Sequence, residues 1–206
     1  MLDNPEIHNR RSIRLKGYDY SQAGLYFITI CTQNRVCLFG EICRGAPVCA
    51  PNVCAPEMIL NDAGKMIDKW VIETQNKFSD IEIHDYVIMP NHFHAIIANN
   101  GTGNPVGADL RVCPDRECAH AGAPQPPQPP QHIGSPLYSV VQWFKTMTTN
   151  EYIRGVKTLN WQPFDKKLWQ RNYYEHIIRN DQSYQNISDY ILNNPLKWTK
   201  DTLFHA

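Results

Sequence analysis

The sequence has no long apolar run, no excess of either charge and no cysteine pattern that a disulfide framework would need. No stretch approaches the roughly 20 apolar residues that a helix needs to cross a bilayer. The opening Met-Leu-Asp-Asn-Pro-Glu-Ile-His lacks the apolar core of a secretion signal. A cytoplasmic protein without a membrane partner is therefore expected. Twenty Lys and Arg balance 20 Asp and Glu, so overall charge does not advertise nucleic acid. Seven cysteines (31, 37, 43, 49, 54, 113 and 118) are an odd number, which favours free thiols. Cys49 with Cys54, and Cys113 with Cys118, have a spacing conceivable for zinc. Both pairs stand in Pro-, Ala- and Gly-rich stretches without a strand or knuckle pattern, which argues against a zinc protein.

What is present fits one domain with loop insertions in 206 residues, 42% of them hydrophobic. Leu25–Thr32 is β-branched and aromatic, the mark of a strand. Asn61-Asp62 should cap a helix to about Asn76, because Ala63, Met66, Ile67, Trp70 and Val71 recur at helical spacing. Ile81–Met89 and Phe93–Ala98 read as a hairpin turning at Pro90-Asn91. Ser135-Pro136 predicts an N-cap and first helical residue, with Leu137, Val140, Val141, Phe144 and Met147 on one face. A short aromatic strand around Leu168–Ile178 and a last helix from about Asp181 to Asn194 follow. Residues 43–56 and 99–134 lack periodicity and read as loop insertions; the second, rich in Gly, Pro and Gln, has the composition of a disordered segment. The order β-α-β-β-α-β-α suggests an α+β fold of ferredoxin-like type, an antiparallel sheet with helices packed on it.

Within that frame, His92 and His94 stand two apart on a strand. Residues at i and i+2 share a face, so the two imidazoles are presented together while Phe93 and Ala95 turn to the core. Alone, such a pair is weak evidence for metal and suits two hydrogen-bonded structural histidines better. On the last helix Tyr184, Ile187 and Ile191 form a core-facing stripe. Tyr190 and Asn194, four apart, are neighbours if the helix survives Pro195. Otherwise Tyr190 is a surface tyrosine and Asn194 a helix C-cap. Basic residues gather at Arg10, Arg11, Arg14 and Lys16, and again at Lys166, Lys167 and Arg171. Either cluster alone suits a solvated face; two flanking a candidate metal site suit a groove that tracks phosphates.

Three blocks carry a resemblance: Tyr-Val-Ile-Met-Pro-Asn-His-Phe-His (86–94), Trp-Gln-Arg-Asn-Tyr-Tyr-Glu-His-Ile-Ile-Arg-Asn (169–180) and Asp-Tyr-Ile-Leu-Asn-Asn-Pro (189–195). In this order the chain resembles the single-tyrosine HUH transposases, nearest to those associated with repetitive extragenic palindromes. The resemblance covers roughly residues 18–40, 57–98 and 135–200. It implies that His92, His94 and Asn194 bind a divalent cation, Mg²⁺ or Mn²⁺, and that Tyr190 attacks DNA. It also implies a partner, single-stranded DNA beside a hairpin, with a homodimer as one possible assembly. Tyr173 and Tyr174 are rival nucleophiles, in a block that looks structural in the family. The basic clusters are candidate grips for hairpin phosphates, and Trp169, Tyr173 and Trp198 are candidates to stack on unpaired bases, with core packing as their competing role.

The chemistry suits these residue types. A phenol with an ordinary pKa near 10 needs help from a metal or a base to attack at neutral pH. The expected product is a 5′-phosphotyrosine, whose retained phosphodiester energy lets the same site rejoin strands. Competing readings are a catalytically silent hairpin-binding protein and a histidine-triad nucleotide hydrolase. The latter needs a third histidine where Ile96 stands.

Overall fold

The computed structural model describes residues 17–43, 56–101 and 135–204. Arg10, Arg11, Arg14 and Lys16, the two spaced cysteine pairs and most of both expected insertions lie outside the described residues. The described elements run β1 (Gly24–Cys31), β2 (Gly40–Cys43), β3 (Glu57–Leu60), α1 (Asp62–Lys77), β4 (Ile81–Met89), β5 (His92–Asn99), α2 (Leu137–Thr158), β6 (Tyr174–Ile178), α3 (Asp181–Leu192) and α4 (Asn194–Lys197). The main sheet has the strand order β4-β5-β1-β6, and every neighbouring pair is antiparallel. With β2 and β3 set aside as a separate hairpin, this is βαββαβ with the first strand between the last and the third. The expected α+β, ferredoxin-like architecture is what the chain adopts.

The sheet is covered on both faces, and strand alternation sorts the residues between them. One face packs Tyr26, Ile28, Ile30, Phe93, Ala95 and Ile97 against α1 and α2, which contribute among others Met66, Ile67, Val140 and Phe144. The opposite face packs Phe27, Ile96 and Ile178 under Ile191 of α3, with Tyr184 and Ile187 alongside. All eight residues of β5 are consequently buried. α1 starts where its cap predicts: the Asn61 side chain accepts from the Gly64 amide at 2.9 Å and donates to the Leu38 carbonyl at 3.0 Å.

Four local expectations need correction. Ser135 does not cap α2; its amide and hydroxyl both donate to the buried carboxylate of Asp80, and the helix begins after Pro136 without a side-chain cap. On the α2 face Met147 is only half-buried, and Lys145 and Thr148 take buried positions instead. The aromatic strand shrinks to Tyr174–Ile178. Upstream, Leu168 and Trp169 are buried as core and joined to the sheet by one bridge, Thr32 to Trp169. Finally, α3 stops at Leu192. Asn193 leaves helical geometry, and the chain restarts as α4 at Asn194 with Pro195, which has no N–H to continue the α3 ladder, in its first turn.

Candidate active site

The site lies on the α3 face. Strand register aligns Val87, His94, Thr29 and Tyr174 in one row across the sheet, with His92 in the next row opposite Cys31 and Met89. His92 is 0% exposed, His94 2% and Asn194 1%, whereas Tyr190 is 38% exposed. The structure thus brings together four residues singled out in the sequence, three of them buried and the fourth open to solvent.

Each histidine is held by its Nδ1. His92 Nδ1 lies 2.8 Å from Asn91 Oδ1. The Asn91 amide is oriented by its own Nδ2, which donates to the Arg35 and Leu203 carbonyls at 3.0 and 2.9 Å. Its Oδ1 is therefore an acceptor, the proton of His92 sits on Nδ1, and Nε2 carries a free lone pair. His94 Nδ1 lies 2.8 Å from the Thr29 hydroxyl, and its Nε2 lies 3.3 Å from the Tyr190 hydroxyl. Burial pushes both imidazoles down to about 3, so both are neutral at pH 7. A side-chain contact of hydrogen-bond type from Asn194 works against the effect of burial on His92, yet it falls short of normal hydrogen-bond geometry at His92 Nε2. Buried Asn194 Oδ1 is likewise without a partner. Buried polar atoms ordinarily find partners, and an orphaned nitrogen lone pair beside an orphaned amide oxygen is a donor set that fits a cation.

Tyr190 leans edge-on against His94 and Phe27, with ring centroids 5.2 and 6.1 Å apart. Burial, and then the Asp201 carboxylate, raise its pKa, while the Asn194 side chain acts the other way. The expected helical pairing of Tyr190 with Asn194 is not continuous, but α4 restarts in place and keeps the amide beside the phenol.

Asp201 was not among the sequence candidates. His92, His94 and Asp201 offer ligand atoms that all lie within 4.8 Å of one another. The carboxylate is braced from two sides, by Asn194 Nδ2 at 3.2 Å and the Leu203 amide at 2.8 Å. The strap that carries it is tied down by Arg35 donating to the Thr202 carbonyl at 2.9 Å and by Trp198 packed over His92. An isolated acid after the last helix carries no periodic or motif signal; only the fold returns it to the histidines.

Tyr190 and His94 open into a cleft of about 400 Å³ that Phe27, Tyr173, Tyr174 and Asn172 also line. Tyr174 meets Phe27 edge-on at 6.2 Å, and no hydrogen bond joins it to either histidine. Two aromatics considered for base stacking are core: Trp169 is 4% exposed and donates to the Thr148 hydroxyl, and Trp198 is 7% exposed. Tyr173 is half-buried in the cleft wall. Lys166, Lys167 and Arg171 are exposed on the segment before β6, which Lys145 pins through the Gln170 and Arg171 carbonyls at 2.6 and 3.1 Å. Among the described residues Cys31, Cys37 and Cys43 are free thiols, and no helix is long and apolar enough to cross a membrane.

No protein-family model matches the chain. Among solved structures it is similar to a REP-associated tyrosine transposase bound to a REP hairpin, at 18% identity and a TM-score of 0.48, covering 89% of this chain and 73% of that one. It is also similar to a candidate transposase from Deinococcus radiodurans R1, at 14% identity and a TM-score of 0.41, covering 87% and 95%. An uncharacterised protein of Haemophilus influenzae is 40% identical over a 206-residue alignment spanning 98% of this chain and 96% of that protein. At that identity and coverage, the chain and the Haemophilus protein belong to one family.

Proposed function

We propose that this protein is a metal-dependent, single-tyrosine DNA strand transferase that cleaves and rejoins single-stranded DNA beside a hairpin. The observation that carries the reading is the Tyr190 hydroxyl, 3.3 Å from His94 Nε2 and in contact with the Asn194 side chain, in a site where buried His92 Nε2 and Asn194 Oδ1 have no partner. The motif blocks that resemble HUH transposases supply these same four residues, and they meet in space although nearly 100 positions separate His94 from Tyr190.

His92, His94 and Asn194 would hold Mg²⁺ or Mn²⁺, which when bound supplies Lewis-acid stabilisation of charge on a phosphate. The protein's own part is positioning. Thr29 and Asn91 lock the imidazoles by their Nδ1 atoms, and Phe27 and His94 hold the Tyr190 ring at the mouth of the cleft. The Tyr190 oxygen attacks the scissile phosphorus, and the bond from phosphorus to the 3′-oxygen breaks. The phenol proton leaves to solvent, and the departing oxygen takes up a proton as a free 3′-hydroxyl. The 5′-phosphate stays esterified to Tyr190, and attack by another 3′-hydroxyl reverses the step. Lys166, Lys167 and Arg171, with Arg10, Arg11, Arg14 and Lys16, are the proposed phosphate grips, and the cleft takes the unpaired strand.

The test is incubation of the full-length protein with Mn²⁺ and a single strand carrying a palindromic hairpin. A denaturant-resistant protein–DNA adduct should form with the parent and be lost in Tyr190→Phe, which keeps the ring. Hairpin binding without any adduct would instead assign the protein as a silent binder.

A further inference from the structure

We infer that Asp201 is the anionic metal ligand of this site, delivered by the strap that follows α4. The inference rests on the proposed metal-bearing site, but not on the DNA reaction. Three independent observations converge on it.

First, the ligand atoms of Asp201, His92 and His94 lie within 4.8 Å of one another. Ligands about 2.1 Å from one cation stand about 3 to 4 Å apart, so a small contraction closes the set. Second, two buried atoms beside the carboxylate, His92 Nε2 and Asn194 Oδ1, have no protein partner. Third, the carboxylate is aimed by bonds that leave it lone pairs to spare. Asn194 Nδ2 donates to Oδ2 and the Leu203 amide to Oδ1, one bond per oxygen. The carboxylate is half-buried, and its negative charge acts on both His94 and Tyr190.

A carboxylate changes what the site prefers. Two imidazoles and an amide are neutral, and hard divalent cations favour anionic oxygen. Two histidines with one carboxylate, grouped to one side, form a triad that leaves positions open. Asn194 gains a second task, since the amide that offers Oδ1 to the metal also braces Asp201 through Nδ2. The charge of Asp201 also opposes ionisation of Tyr190, and a neighbouring cation would offset that opposition.

The experiment is titration of the full-length protein with Mn²⁺ alone, without DNA, following the electron paramagnetic resonance of the free ion. Asp201→Asn should raise the dissociation constant for Mn²⁺ at least about tenfold, with circular dichroism unchanged. The same loss should persist when Asp201→Asn is added to Asn194→Ala, because a ligand acts directly and a brace acts only through what it braces. Mn²⁺ binding within twofold of the parent would overturn the inference. So would an effect that vanishes in the Asn194→Ala background, or a parent that retains no Mn²⁺ at about 1 mM. Should Asp201→Asn fail to fold, Asp201→Glu and Asp201→Gln differ in charge at nearly equal volume. Tighter Mn²⁺ binding by the Glu variant supports the inference, and equal binding overturns it. Because DNA is absent, loss of the adduct reaction with Mn²⁺ binding intact would count against the strand-transfer reading and leave this one standing.

Discussion

The two faces of the central sheet are built by opposite rules. Toward α1 and α2, Phe93 stacks on Phe144 at 5.3 Å and sits in a contiguous apolar cluster. Toward α3, one residue away on the same strand, His92 and His94 are buried just as deeply, yet His92 Nε2 and the neighbouring Asn194 Oδ1 have no partner. Burying polar atoms without hydrogen bonds costs stability. The first face provides the stability that the second spends on keeping lone pairs free. Burial alone therefore does not tell the two faces apart; His92 and Asn194 differ from Phe93 in carrying buried polar atoms without a hydrogen-bond partner.

Mutations on either side of β5 should separate the two roles. The largest effect is expected on chemistry: His92→Ala or His94→Ala should lower strand cleavage by about a thousandfold or more, read from adduct yield, with hairpin affinity within a few-fold. Affinity lost in parallel with cleavage would show the histidines to be structural. Next, Phe93→Ala on the other face should cost about 3 to 5 kcal/mol of stability in urea unfolding. Adduct formation should survive at temperatures where that variant remains folded; a fully folded but inactive Phe93→Ala would break the contrast.

A third prediction concerns acid. The two histidines have native pKa values near 3 against an ordinary 6.5, so the unfolded chain binds more protons between those limits. Stability present above pH 6.5 should fall toward pH 3, by up to about 1.4 kcal/mol per pH unit for each histidine. Urea midpoints at pH 7 and pH 5 would show it, and His92→Ala should flatten the dependence. The smallest effect is expected from removing residues 102–132. The ends of that segment are already joined, because Asn99 Nδ2 donates to the Ser135 carbonyl at 3.0 Å and Asp80 holds Ser135. A short Gly/Ser linker should preserve the melting temperature and the adduct yield; a protein that no longer folds would show that the segment packs on the domain.

Local patterns made much of this legible. β-branched and aromatic composition located β1, the runs on either side of Pro90-Asn91 located β4 and β5, period-3.6 spacing located α1, and strand alternation put His92 and His94 on one face and Phe93 and Ala95 on the other. Trp169 and Trp198, for which the sequence favoured core packing over base stacking, are buried as that reading expects. The misreadings were long-range. Ser135 has the composition of a cap, but Asp80, from another part of the chain, takes its hydroxyl. β2 and β3 are four residues each and are separated by a stretch with no turn signature, so neither periodicity nor a hairpin dipeptide marked them. Asp201 was invisible for a related reason: no local pattern relates it to the histidines, and only the strap tied through Arg35 and Asn91 brings it back.

The central claim is that Tyr190, of all the tyrosines at the cleft, forms the bond to DNA. Protease digestion of the Mn²⁺-dependent adduct, followed by mass mapping of the nucleotide-bearing peptide, tests this directly. The account predicts a phosphonucleotide on Tyr190 in the peptide spanning Asn180–Lys197. The same mass on Tyr173 or Tyr174, which also line the cleft, would contradict it.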